Sequence, residues 1–177
     1  MAMFGFMFKK KISIDAAAES ILSGLVKFDR MKVWGAELSR VSRLNIERAK
    51  EEMFYLDCFA VYIGLKFNKS PGWKQNGYKI FEKICHACSI FVATEFANME
   101  NATTEEVKNA WEVINKRFAV YSPLFEKSED TLLAIGTAFS KFCQVDGNSV
   151  LVQIGGDLFY VRGQMLMQFT KERPLSR

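Results

Sequence analysis

Histidine is almost missing from this chain, with His86 the one imidazole among 177 residues. A di-iron carboxylate bundle takes a Glu-x-x-His motif from each of two helices, so its usual ligand set cannot be assembled. There is no glycine-rich phosphate loop and no nucleophile elbow. Only one Cys-x-x-Cys occurs, whereas zinc sites usually draw their ligands from two close pairs. Proline is sparse, at Pro71, Pro123 and Pro174, which leaves long stretches free to be helical. No apolar run reaches the roughly 20 residues that span a bilayer. The longest, 53–65, is interrupted by Asp57.

What is abundant is core material. Apolar residues make up 49% of the chain and include 16 Phe and 3 Trp. Neither a disulfide nor a metal is then needed for folding, and the length suits one domain. Cys58, Cys85, Cys88 and Cys143 lie in or at the end of apolar helical patterns. They read as reduced thiols of a cytoplasmic protein. Charge is uneven: residues 1–83 hold 15 Lys+Arg against 9 Asp+Glu, residues 84–177 hold 9 against 11. That gives a mildly basic half, too weak for a dedicated nucleic-acid binder.

Residues 1–12 read as an arm and 13–177 as a single helical domain. The arm is Phe- and Met-rich up to Phe8, followed by Lys9, Lys10 and Lys11. This reverses the order of a secretory signal. It suits a weak membrane-surface contact through residues 1–11, or a segment packed on its own core or a neighbour.

Helical periodicity is expected over about 15–28, with Asp15 as cap, and over 38–67, 76–98, 104–121, 129–142 and 149–170. Residues 29–36 read as a connection. Thr103 or Thr104 caps the fourth helix, which is expected to stop before Ser122-Pro123; Ser128 caps the fifth. The last segment also allows a hairpin across Gly155-Gly156. Its stripe of Leu151, Ile154, Leu158, Val161 and Met165 favours one helix, with the glycines admitting close packing. The fold expectation is an all-α, single-domain bundle of about six helices around a largely buried second helix.

Three groups of residues invite a chemical reading. Cys85 and Cys88 share one helix face, while His86 points about 100° away toward Glu82. An exposed Glu82–His86 pair and packed thiols are the plainer reading, and redox or metal chemistry the sharper one. No metal and no cofactor are expected. Asp57 interrupts the most apolar part of the second helix; a buried carboxylate needs partners, and Lys50 lies seven residues earlier on the same face. The alternative is a pocket near Asp57 and the cysteines that holds a ligand, with Glu95 a weaker candidate of the same kind. Lys66, Lys69, Lys74 and Lys79, interleaved with Trp73 and Tyr78, form a patch for an anionic partner or an ordinary solvated loop. The leading functional expectation is a non-enzymatic interaction or scaffold domain that self-associates as a dimer through apolar helix faces. A helical enzyme or ligand-binding protein and a peripheral membrane protein are the alternatives.

Overall fold

The computed structural model describes residues 11–96 and 102–175. The membrane-contact reading of residues 1–11 therefore falls almost wholly outside the described residues. The protein is an all-α bundle of α1 (Ile14–Val26), α2 (Arg30–Leu38), α3 (Ile46–Lys66), α4 (Pro71–Phe91), α5 (Thr104–Lys127), α6 (Thr131–Phe142) and α7 (Ser149–Glu172). Six of these are the expected helices, and the nine-residue α2 is the addition. A π turn over Val92–Phe96 extends α4. Among the described residues no strand forms; one parallel bridge joins Ile12 to Leu175. No described helix is long and apolar enough to cross a membrane.

Helix α3 lies at the centre. From Glu52 to Val61 every residue is buried, as expected of a helix apolar on nearly all sides. Phe59 shows why the bundle closes around it: its ring meets those of Tyr62, Phe118, Tyr121 and Phe159, from α3, α5 and α7. Aromatic pairs at such spacings add to the burial of their area.

Several boundaries differ from those expected. Residues 38–45 are not helical throughout: α2 ends at Leu38, Arg43 adopts a left-handed φ of 63°, and Asn45 caps α3. Asp29 caps α2 through the Lys32 amide, so the supposed connection is itself a helix. Ser13 and Asp130, not Asp15 and Ser128, cap α1 and α6. α4 begins at Pro71, where a missing N–H costs nothing. α5 continues through Pro123 to Lys127. The carbonyl that loses its partner belongs to Ala119, which is exposed to water.

The last segment is one helix, not a hairpin. Its glycines do admit close packing on α6: a Cβ on Gly155 would lie 2.8 Å from the Phe139 side chain. The tightest approach lies on the other helix, where a Cβ on Gly136 would sit 1.9 Å from the Val152 carbonyl oxygen.

Candidate functional site

The most anomalous residue of the sequence sits in the most enclosed place. Asp57 is fully buried, and its carboxylate faces α7 and α2. Arg162 of α7 donates from Nε to Oδ1 at 3.0 Å and from Nη2 to Oδ2 at 2.9 Å. Arg30 of α2 approaches Oδ2 at 2.5 Å. Its partners are these arginines and not Lys50, which pairs with Glu47 near the surface. Two guanidiniums against one carboxylate leave an excess positive charge. It is offset at the C-terminal end of α1, where free carbonyls and the helix dipole favour cations. Arg30 donates to the Leu25 and Phe28 carbonyls, and Arg162 donates to that of Gly24. The Phe28 ring lies 4.5 Å from the Arg162 guanidinium. Both carboxylate oxygens are taken by this network, which ties α1, α2, α3 and α7 together.

A second cluster was not visible in the sequence. Glu52, also fully buried, faces α5 and is held by Arg117 through Nε at 2.9 Å and through Nη2. Arg48, one turn earlier, reaches it at 2.8 Å. The hydrogen bonds that Arg117 donates to Glu52 push the Arg117 pKa up, so the guanidinium stays charged. Nearby, burial and a hydrogen bond to Glu51 push the Tyr55 hydroxyl well above its usual range. Glu52 and Asp57 are five residues apart, so they point about 140° from one another around α3.

The cysteines divide differently from the expected motif. Cys88 meets Cys58 of α3, with Sγ atoms 3.8 Å apart, rather than acting with Cys85. Cys143 lies on the Glu52 side of α3. Burial raises the Cys58 thiol strongly, and raises Cys85 and Cys143 to about 12 each. Thiols this reluctant to ionise are poor nucleophiles at neutral pH. Among the described residues no group of three or more His, Cys, Asp or Glu is arranged to hold a metal ion. His86 and Glu82 are exposed on α4 and line an open cleft against Trp111 of α5, with no hydrogen bond or ion pair between them. Glu95 is exposed on the π turn, far in the chain from Asp57 and without a place in its network.

Of the two aromatics in the lysine patch, Tyr78 stays exposed and Trp73 does not. Trp73 is buried, and its Nε1 donates to the Arg173 carbonyl at 3.0 Å, so it holds the end of α7 and cannot stack on a ligand. Lys66 is engaged with Glu126 at 3.4 Å. Lys69, Lys74 and Lys79 are exposed.

Comparisons with protein-family models, curated proteins and solved structures gave no match to this chain. The functional reading therefore rests on the surface itself. The outward side of α7 is unusual there. Between Asp157 and Lys171 the helix carries one charge, Arg162, and that charge is turned inward to Asp57. What remains outside is Tyr160, Val161, Gln164, Met165, Met167 and Gln168. Tyr160, Met165 and Met167 are 53%, 48% and 42% exposed. Leu132 of α6, also exposed, lines the same surface as Tyr160.

Proposed function

We propose that the protein is a non-enzymatic interaction domain that self-associates through the outward face of α7. The supporting observation is the outward side of that helix between Asp157 and Lys171, more than three turns long, which carries no charge and exposes Tyr160, Val161, Met165 and Met167. Solvated helix faces normally carry charges, and contiguous exposed apolar area marks interaction sites. Met and Tyr are enriched at protein interfaces, and Lys, Glu and Asp are depleted. A two-fold arrangement would lay α7 against α7 of a second copy, so that one face serves both partners. The four cysteines stand as free thiols, which suits a reducing, cytoplasmic compartment.

The test is the concentration dependence of the mass in sedimentation equilibrium. The wild type is expected to reach a dimer mass in the micromolar range. Val161→Glu combined with Met165→Glu is expected to return the monomer at every concentration while keeping its helical circular dichroism. A wild type that stays monomeric up to high concentration would overturn the reading.

A further inference from the structure

Helices α3 and α4 press two thiols together inside the core. Cys58 and Cys88 are both buried, with their Sγ atoms 3.8 Å apart. Two metal–sulfur bonds of about 2.3 Å laid end to end span about 4.6 Å, so an ion fits between these sulfurs once they part by about 0.8 Å. The ligand count selects the ion. Among the described residues no third His, Cys, Asp or Glu completes a metal-binding group. Zinc takes four ligands, and calcium and magnesium take oxygen, so two sulfurs suit none of them. A soft monovalent ion is content with two, and copper(I) is one that thiolates select.

Charge points the same way. Two thiolates around one monovalent cation carry one net negative charge. Asp57, the residue before Cys58, is met by two guanidiniums, so its cluster carries one net positive charge. Arg30 is close enough to act on the Cys58 thiol, and its Nε is buried without a hydrogen-bond partner. Burial keeps the bare Cys58 thiol protonated. A cation at the sulfur removes that obstacle, because a coordinated thiol is deprotonated outright. Access comes from α4: Cys85, one turn before Cys88, is half-buried and lines the cleft against α5 beside His86. It is the thiol that an ion arriving from solvent meets first.

We infer that Cys58 and Cys88, in contact across α3 and α4, form a two-coordinate copper(I) site with Cys85 at its entrance. Each thiol gives up its proton as its sulfur binds. Two S–H bonds break, two Cu–S bonds form, two protons leave to solvent, and copper stays monovalent throughout. The reducing compartment that suits four free thiols also suits copper in this state. The site shares no residue with the outward face of α7, and its failure leaves the self-association reading standing.

Anaerobic titration of the reduced full chain with copper(I), supplied as its acetonitrile complex and competed by bicinchoninate, tests it. One ion per chain is expected to be withheld from the chelator, with two protons released. X-ray absorption of the loaded protein is expected to show two sulfur neighbours and no nitrogen. Cys88→Ala is expected to weaken retention by more than about a hundredfold, beyond what the loss of an outer-shell partner costs. Cys143→Ala, on the Glu52 side of α3, is expected to leave retention unchanged. Cys85→Ser is expected to slow uptake at unchanged affinity, and uptake as fast as in the wild type would remove Cys85 from the entrance. A wild type that yields all its copper to the chelator would overturn the proposal, as would full retention in folded Cys88→Ala. Three or four ligands in the absorption spectrum, or a Cys58–Cys88 disulfide recovered in place of bound metal, would overturn it too. The wild-type spectrum decides the question even if Cys88→Ala does not fold.

Discussion

Helix α3 buries two carboxylates five residues apart, and it holds them in different ways. Asp57 is met by Arg30 and Arg162, whose side chains are 10% and 7% exposed and which are themselves fixed on main-chain carbonyls of the α1 terminus and its following turn. Glu52 is met by Arg117, equally enclosed, and by Arg48, whose side chain is 31% exposed and which also serves Glu51. The first cluster is closed, with every charge held by the protein. The second opens toward water on one side. A buried ion pair adds little to stability compared with an apolar pair of the same shape, yet removing one member is costly because the other is left uncompensated. This cost depends on whether the abandoned partner can reach solvent.

Asp57→Ala is the strongest way to test this. It leaves two enclosed guanidiniums without a counter-charge and is expected to destabilise the fold by about 3–5 kcal/mol, read from the urea midpoint. An unchanged midpoint would mean that the closed cluster is not what holds α7 to α3. Glu52→Ala is expected to cost less, about 2–3 kcal/mol, because Arg48 can swing into water. Equal losses for the two variants would remove the distinction.

Tyr121 sharpens the same contrast from the apolar side. It is buried in the aromatic cluster on the Glu52 side, and its hydroxyl makes no hydrogen bond. Burial pushes its ionisation up, so it stays neutral. Removing a buried hydroxyl that has no partner relieves a desolvation penalty, so Tyr121→Phe is expected to gain up to about 1 kcal/mol. A loss on thermal melting would show that this hydroxyl has a role in the open cluster.

The smallest effect belongs to a half-buried carboxylate at a helix start. Glu106 accepts from the Thr103 amide and hydroxyl in the capping box of α5, and these bonds hold its carboxyl below the usual range. A depressed carboxylate contributes stability that is complete above its unfolded pKa and lost as pH falls through the folded one. Amide exchange at the start of α5 is therefore expected to quicken only under strongly acid conditions. Quickening already near pH 5 would contradict the capping geometry.

These clusters also mark how far the sequence could be read. The Asp57 anomaly was plain, because one charge in a long apolar run has to be explained. Its partner was not, because Arg162 lies 105 residues later in a stripe that reads as apolar. Nothing local joins the two positions. Glu52 was hidden for the opposite reason: it follows Glu51 in a segment already dense with charge, where one more acid draws no notice. Six of the seven helices and their order were legible from periodicity, the α7 helix from its stripe. Helix α2 was missed because nine residues containing Gly35 give too few turns to show a period. The end of α5 was missed because Pro123 breaks the rule only where the carbonyl it orphans is wet.

The Asp57–Arg162 bond also imposes an order on synthesis. At about 5–20 residues per second, the ribosome delivers Arg162 roughly 5–20 s after Asp57. During that interval α3 has emerged with its carboxylate matched only by Arg30, and the central helix cannot be walled in on the side that α7 will occupy. A nascent chain halted before residue 162 is thus a different physical object from one that holds α7, a set of helices with an open flank. Helix α7 acts as the keystone, and the wall around α3 closes only when it arrives.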